Sequence, residues 1–572
     1  MNDERERRID QRRRDLLRRL DEVAAGTWTR CPGCAVALHR DKLAAHVGVC
    51  PRCGHHFRLT AHERLAALLD PGSFTETAAD LSPADPLGFV DARPYPERLR
   101  ALAERTGLRE AAVCGSGTVD GHRISVCVLD FRFQGGSMGV VVGEKVTRAA
   151  ELALAERIPL VICSTSGGAR MQEGIFSLLQ MAKTAAAVAR LRAAGVPFVS
   201  LLADPVYGGV SASFATLGDL VVAEPGARVG FAGPKVISQT IRQELPPGFQ
   251  TSAFLLAHGH VDAVVPRQEL RAFLGRVLGL HVPAQPRPPL PAPRPEPGRT
   301  APDAWTTVGL ARHPDRPHFD DYLRLLFDDF VELRGDRCDE DDPAVAAGLA
   351  RFAGAPVVLI GHRKGRGTTE NVARNFGMPG PAGYRKAVRL MRHAERFGLP
   401  VVTFLDTPGA YPGIRAEERN QSGAIAECLA TLAGLRVPVI GVLTGEGGSG
   451  GALALGVTDR LLALEHAVYS VISPEGCATI LFGDSDQAAR AAAGLRLTAR
   501  DLRGFGVVDD LLGEPGDGAH TDHAATAEAV RHALYRHLTE LSRTPIDVVL
   551  DARQARFRGP VSDTVTAGKA MP

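Results

Sequence analysis

No stretch of this 572-residue chain is apolar for long enough to span a bilayer. The N-terminus, MNDERERRIDQRRRDLLRRL, has no apolar core of the kind a secretory signal needs. These two absences predict a cytoplasmic protein without a membrane. Charge of one sign is also missing. Lys and Arg number 67 against 65 Asp and Glu, a net charge of +2, so no global field draws nucleic acid or lipid. There is no G-x-x-x-x-G-K-[ST] phosphate loop, no G-x-S-x-G elbow and no Cys/His nucleophile pair. A Met-Lys dipeptide of the biotin-carrier type is absent as well.

Glycine is abundant, and one stretch concentrates it. Val437 to Leu443 is an apolar, β-branched run that predicts a buried strand. Gly445-Glu446-Gly447-Gly448-Ser449-Gly450-Gly451 follows, and Ala452 to Val457 then predicts a helix of small residues. A strand that breaks into glycines and opens a helix presents bare backbone N–H groups, which hold negative charge. Three readings fit. Gly445, Gly447 and Gly450 match G-x-G-x-x-G, with Glu465 at the spacing of a dinucleotide site. The glycines equally suit a developing oxyanion, or a tight turn that needs small residues.

An internal repeat decides among them. Pro159, Ala169 and Pro197 recur at Pro400, Ala410 and Pro438, each 241 residues on. Asp219, Ala227 and Pro234 recur at Asp459, Ala467 and Pro474, each 240 on, so one residue is deleted between the two sets. The chain therefore holds two copies of one α/β domain, each with strand–glycine–helix junctions. Those of the first are Ser166-Gly167-Gly168-Ala169 and Tyr207-Gly208-Gly209. Those of the second are Pro408-Gly409-Ala410 and the Gly445–Gly451 loop. A dinucleotide fold has no need of matched doubling, which suits two domains facing across a pseudo-twofold.

Around the copies the chain divides further. Residues 1–26 predict a charged, solvated helix. Residues 27–60 contain Cys31-Pro-Gly-Cys34 and Cys50-Pro-Arg-Cys53, a closed four-thiolate zinc ribbon of structural type. The other six cysteines are scattered and predict small buried side chains. The first domain covers 61–280. Residues 281–303, rich in proline, predict an extended linker. The second domain covers 304–545, opening on a helix from Phe319 to Arg334, and 546–572 predict a loose tail. Arg170, Lys145, Arg148 and Lys183 could meet phosphate, although each taken singly reads as a solvated surface charge, and Gly361-His362-Arg363-Lys364-Gly365-Arg366-Gly367 is a basic loop suited to an anion.

Residues 28–267 resemble the beta subunit of bacterial acetyl-CoA carboxylase carboxyltransferase. The matching motifs are the four cysteines, GGSMG (135–139), SGGARMQEG (166–174), QMAKT (180–184), YGGVSASFATLGD (207–219), GFAGP (230–234) and ELPPGFQ (244–250). Residues 304–541 resemble the alpha subunit, through ARHPDRP (311–317), GHRKGR (361–366), NFGMPGPAGYRKA (375–387), DTPGAYPG (406–413), EERNQS (417–422), GEGGSGGALALGV (445–457) and SVISPEGCA (470–478). The two subunits are fused, beta first. The alpha subunit's N-terminal helical extension is shortened, with the proline linker in its place. Asn420 and Gly423 flank Gln421-Ser422 where the family more often has Gly and Glu.

The resemblance implies a crotonase-like fold in both halves and transfer of a carboxyl group from carboxybiotin, on a biotin carboxyl carrier protein, to acetyl-CoA. The product is malonyl-CoA, for fatty-acid synthesis. Biotin enters only as the carboxylated carrier, and an ATP-dependent biotin carboxylase on another chain charges it. With two oxyanion holes no side-chain base is required. Gly167 and Gly168 are expected to hold the thioester enolate, and Gly450 and Gly451 the biotin ureido oxygen. Gly447 and Gly448 shape the loop. Arg170, Gly208, Gly209, Arg363, Lys364 and Arg366 are the further substrate-binding candidates. The resemblance also implies sites between unlike domains of different protomers, hence a homodimer equivalent to two beta and two alpha subunits. Three alternatives stay open: a nucleic-acid role for the ribbon, a hydratase or hydrolase of the same fold, and a carboxyltransferase for another short acyl-CoA such as propionyl-CoA.

Overall fold

The computed structural model describes residues 27–240, 244–288, 294–298 and 301–562. The helix expected over 1–26 lies outside them. The chain forms two compact units: residues 1–254 with 264–275, and residues 255–263 with 276–572.

The first unit begins with a two-stranded hairpin, β1 (Trp28–Arg30) and β2 (Ala37–His39). Its main sheet contains β3 (Thr75–Thr77), β4 (Ala112–Val119), β5 (His122–Leu129), β6 (Leu160–Ser166), β7 (Phe198–Tyr207), β8 (Leu220–Ala223), β9 (Val229–Gly230) and β10 (Ala263–Val264). The order is β10-β8-β7-β6-β5-β4-β3, with β9 on β7. Asp120 and Gly121 turn β4 into β5 with both residues at positive φ, the turn an antiparallel hairpin favours. From β5 onward the strands run parallel to β8, joined by helices Val140–Glu156 and Gly174–Ala193. β6 is buried along its whole length, as a parallel strand covered on both faces must be.

The second unit repeats this plan with β11 (Phe327–Glu332), β12 (Val345–Phe352), β13 (Ala355–His362), β14 (Val401–Thr407), β15 (Val439–Gly448), β16 (Arg460–Leu464), β17 (Val468–Ser470) and β18 (Asp510–Leu512). The order is β11-β12-β13-β14-β15-β16-β18, with β17 on β15. The duplication extends to single hydrogen bonds. Asp219 accepts from the Phe198 nitrogen at 2.9 Å, and Asp459 accepts from the Val439 nitrogen at 2.7 Å.

Three expectations change. The helix expected from Phe319 to Arg334 stops at Leu326, and Phe327–Glu332 pairs with β12 as an edge strand. Its two consecutive aspartates sit at a register shift, and Asp329 has φ +54, which no helix accommodates. The helix expected over Ala452 to Val457 is instead the short Ser449–Leu453. The expected tail holds a helix, Ile546–Ser562. In it Arg553 is buried, clamps Asp459 at 2.8 Å and donates to the carbonyls of Leu432, Leu435 and Val437. The proline segment lies against the second unit where it is described: Arg287 donates its backbone N–H to Ala353, and Gly298 to Glu465.

Candidate functional site

Each unit builds a cradle of backbone from two arms. In the first, β6 ends at Ser166, whose hydroxyl accepts from the Gly168 nitrogen at 3.0 Å, while the Gly167 nitrogen donates to Gly135 at 2.9 Å. Gly168 has φ +119 and Gly208 has φ +56, conformations that favour glycine. A Cβ on Gly168 would lie 3.4 Å from the Gly208 Cα and 3.6 Å from the Gly209 nitrogen. Segments 167–169 and 207–209 therefore meet backbone to backbone.

The second unit copies this geometry. Thr407 accepts from the Gly409 nitrogen at 3.1 Å, Gly409 has φ +154, and Ser449 has φ +54 where its counterpart is Gly208. A serine held there costs about 1–2 kcal/mol against glycine, which marks the turn as imposed by its surroundings. A Cβ on Gly451 would overlap the Ala410 nitrogen, and one on Gly448 the Pro408 carbonyl. One on Gly447 would fall 2.6 Å from the Tyr469 ring, whereas one on Gly450 would meet nothing within 4 Å. The second arm in each unit opens a short helix, Gly208–Ser211 or Ser449–Leu453. The first N–H groups of such a turn have no partner within the helix.

In the repeat register Gly167 and Gly168 correspond to Pro408 and Gly409, and Gly209 and Val210 to Gly450 and Gly451. The four expected glycines thus lie on different arms, and each unit supplies both arms. Ala169, Gly409 and Ala410 complete the cradles. The 241-residue offset already contained that signal.

The basic candidates are placed differently from expectation. Arg170 is fully buried. It donates to Glu110 at 2.5 and 2.8 Å, to Glu173 and Tyr95 at 3.1 Å, and to the Ser137 carbonyl at 2.8 Å. Burial works against its charge, but the Glu110 carboxylate outweighs burial and holds the guanidinium charged. It is a brace behind the first arm, with no donor left for phosphate. Glu173 extends the brace by accepting from the Val140 nitrogen at 2.6 Å. Lys145 is buried on the Ala112 carbonyl, and Arg148 and Lys183 both pair with Glu144.

The basic loop of the second unit is likewise matched by its own carboxylates. Arg363 pairs with Asp320 and Glu332, and Arg366 with Asp321. Lys364 bridges Asp406 at 2.7 Å and Glu446 at 3.1 Å. Burial opposes the Lys364 charge, but Asp406 and Glu446 keep the ammonium protonated. Asp406 also accepts from the Glu446 nitrogen at 3.0 Å, so this cluster braces the second arm from below. His362, next to it, is buried, and burial pushes its imidazole down to about 4, so it is neutral near pH 7.

The four cysteines of the ribbon come together, with all sulfurs within 4.8 Å of one another. Cys31 and Cys53 are 3.5 Å apart and Cys34 and Cys50 3.8 Å. Zn–S bonds of about 2.3 Å in a tetrahedron separate sulfurs by about 3.8 Å, so the donor set fits zinc. Two matched turns present them: Ala35 donates to the Cys31 carbonyl and Gly54 to the Cys50 carbonyl. Of the other six cysteines five are buried as expected, and Cys338 is exposed. Among the described residues no helix is long and apolar enough to cross a membrane.

Known proteins share this architecture. Residues 300–560 match the family model described as acetyl co-enzyme A carboxylase carboxyltransferase-like. The chain is 56% identical to the acetyl-coenzyme A carboxylase carboxyl transferase subunits beta/alpha of Salinispora arenicola, over 93% of this chain and 96% of the relative. It is also 56% identical to the subunit beta of a Synechococcus species, over 47% of this chain and 86% of that one. Among solved structures, the transcarboxylase 12S core aligns with a TM-score of 0.68 at 24% identity, covering 84% of this chain and 90% of that chain. That likeness shows the fold, a pair of crotonase-like domains. The chain belongs to the acetyl-CoA carboxylase carboxyl transferases in which the beta and alpha subunits form one polypeptide.

Proposed function

We propose that the chain transfers a carboxyl group from carboxybiotin, presented by a biotin carboxyl carrier protein, to acetyl-CoA, forming malonyl-CoA for fatty-acid synthesis. A biotin carboxylase on another chain charges the carrier. The duplicated backbone cradle carries this reading, because N–H donors at fixed positions stabilise an oxyanion in place. Breaking the N–C bond of carboxybiotin releases CO2 and leaves the ureido anion. That anion takes a proton from the acetyl-CoA methyl group, and the enolate carbon bonds to CO2. Neutral biotin and malonyl-CoA leave. In the first unit Gly167, Gly168 and Gly208 shape the cradle, their own N–H groups being given to Gly135, Ser166 and Phe231, and the Ala169 and Gly209 N–H groups hold the thioester oxygen. The Gly450–Gly451 arm, with Gly409 and Ala410, holds the ureido oxygen, and Gly447 and Gly448 keep that arm in shape.

In this reading the working species is a cytoplasmic homodimer. Apolar side chains stand exposed just past each cradle's first arm, Met171 and Ile175 in one unit and Ile414 in the other. Exposed apolar patches beside a polar site suit an interface. Cys31, Cys34, Cys50 and Cys53 hold one structural zinc, which closes the ribbon. Elemental analysis is expected to give about one zinc per chain, lost in the double variant Cys31→Ser, Cys50→Ser. The reaction is tested in reverse with malonyl-CoA and free biotin, no nucleotide added. Carboxyl transfer is the expected result. No transfer to free biotin, and none between malonyl-CoA and the biotinylated carrier, overturns the assignment.

A further inference from the structure

A cavity of about 420 Å3 lies within the first unit, between the cysteine ribbon and the main sheet. One side is formed at the carboxyl ends of three neighbouring parallel strands, by Thr165 of β6, Asp204 of β7 and Glu224 just past β8. Open α/β sheets bind ligands in crevices at this end of their strands. The other side is the second cysteine turn and the residues after it, Cys53 to Leu59.

The wall is built and charged. Arg58 of the ribbon stacks 4.0 Å over the Phe131 ring and shares Asp204 with Arg228, at 3.5 and 2.8 Å. Both arginine side chains are about half exposed, at 49% and 47%. Two cations on one carboxylate leave a positive charge facing solvent. Deeper in, Arg64 and Arg267 bracket the buried Glu224 at 2.6 and 2.7 Å. Arg267 also donates to the carbonyls of Val47, Gly48 and Phe57, which fixes the ribbon to the domain. His56 joins this seam: Nδ1 lies 2.8 Å from the Gly54 carbonyl and Nε2 accepts from the Arg267 nitrogen. A zinc tetrathiolate beside Cys53 would carry two negative charges, so an anion belongs at the Arg58–Arg228 rim and not in the cavity as a whole.

We propose that this cavity takes the phosphorylated adenosine end of coenzyme A, which makes the ribbon a wall of the substrate site. The volume suits a nucleotide-sized ligand, and a planar guanidinium rim suits phosphate. The inference rests on acetyl-CoA being the substrate. A free adenine nucleotide has the same chemistry, and the test separates the two sources.

Full-length wild type and Arg58→Ala are compared on acetyl-CoA and acetyl-pantetheine, which lacks the nucleotide. The ratio of kcat/KM for the two thioesters is expected to fall about tenfold in Arg58→Ala, the worth of one charge-assisted contact, and to recover in part in Arg58→Lys. Adenosine 3′,5′-bisphosphate should compete with acetyl-CoA and bind Arg58→Ala about tenfold more weakly by calorimetry. An unchanged ratio overturns the proposal. So does bisphosphate that binds at Arg58 without competing with acetyl-CoA, since the site then serves a free nucleotide. A wild type that carboxylates neither thioester rejects the carboxyltransferase reading, and bisphosphate binding by wild type against Arg58→Ala still decides the cavity.

Discussion

The two cradles share a backbone and differ in what braces it. After the Gly-Gly-Ala arm of the first unit comes Arg170, buried between Glu110 and Glu173. The corresponding residue of the second unit is Tyr411, and there Gln421 bridges the Tyr411 and Pro379 carbonyls with its amide at 3.1 and 2.9 Å. The second unit places its ions under the other arm, where Lys364 joins Asp406 and Glu446. An oxygen recognised by N–H groups constrains main-chain geometry, and several side-chain sets can enforce the same geometry. Duplication kept the former, and the latter diverged.

Breaking the braces tests that contrast most severely. Arg170→Met leaves two carboxylates buried without their cation, and should destabilise the first unit by about 3–5 kcal/mol in urea unfolding. Lys364→Met leaves Asp406, 7% exposed, without its cation, while Glu446, 12% exposed, keeps Arg312 at 2.6 Å, and should cost less. Equal losses would mean that the two braces are not different in kind.

Gly168→Val comes next. A branched side chain at φ +119 both strains the turn and pushes an oxygen off its donors. Losing one such donor costs about 2.7–4 kcal/mol, or about 10²–10³ in kcat, read from malonyl-CoA formation. A rate within twofold of wild type would make this arm a turn and nothing more.

A smaller effect is acid sensitivity. Burial opposes ionisation of Glu224, yet Arg64 and Arg267 prevail and hold its carboxyl at about 2. A carboxylate depressed in the folded state adds stability above its unfolded value, about 4.3, and that stability is lost as pH falls from there to about 2. The first unit should therefore weaken over that window, and Glu224→Gln should flatten the dependence. A slope unchanged in that variant would place the acid response elsewhere.

Much of the fold was readable because it rests on period and punctuation. The apolar run at Val439 and the strand–glycine–helix junctions are local signals, and the repeat at 241 residues is found by comparing the chain with itself. The cysteine spacing likewise anticipated the observed cluster. What escaped were long-range electrostatic pairings. Nothing beside Arg170 announces Glu110, sixty residues earlier, so a buried brace read as a surface charge or a phosphate contact. Arg553 read as tail because its partner, Asp459, lies 94 residues upstream. Ser449 hid the left-handed turn that its counterpart Gly208 displays. The basic loop looked free because Asp320, Asp321 and Asp406 come from other elements.

If the two cradles serve different partners, Gly450→Val separates their roles. A Cβ there would meet nothing within 4 Å, whereas one on Gly451 would collide with Ala410, so the Gly450 variant is the one the fold accommodates. Malonyl-CoA affinity by calorimetry and carboxyl transfer to free biotin are measured on Gly450→Val and Gly168→Val in parallel. Gly450→Val is expected to slow transfer at least about 100-fold and to leave malonyl-CoA affinity intact, while Gly168→Val weakens both. Loss of malonyl-CoA binding in Gly450→Val with binding spared in Gly168→Val would reverse the assignment of the cradles, and full transfer by both variants would reduce them to turns.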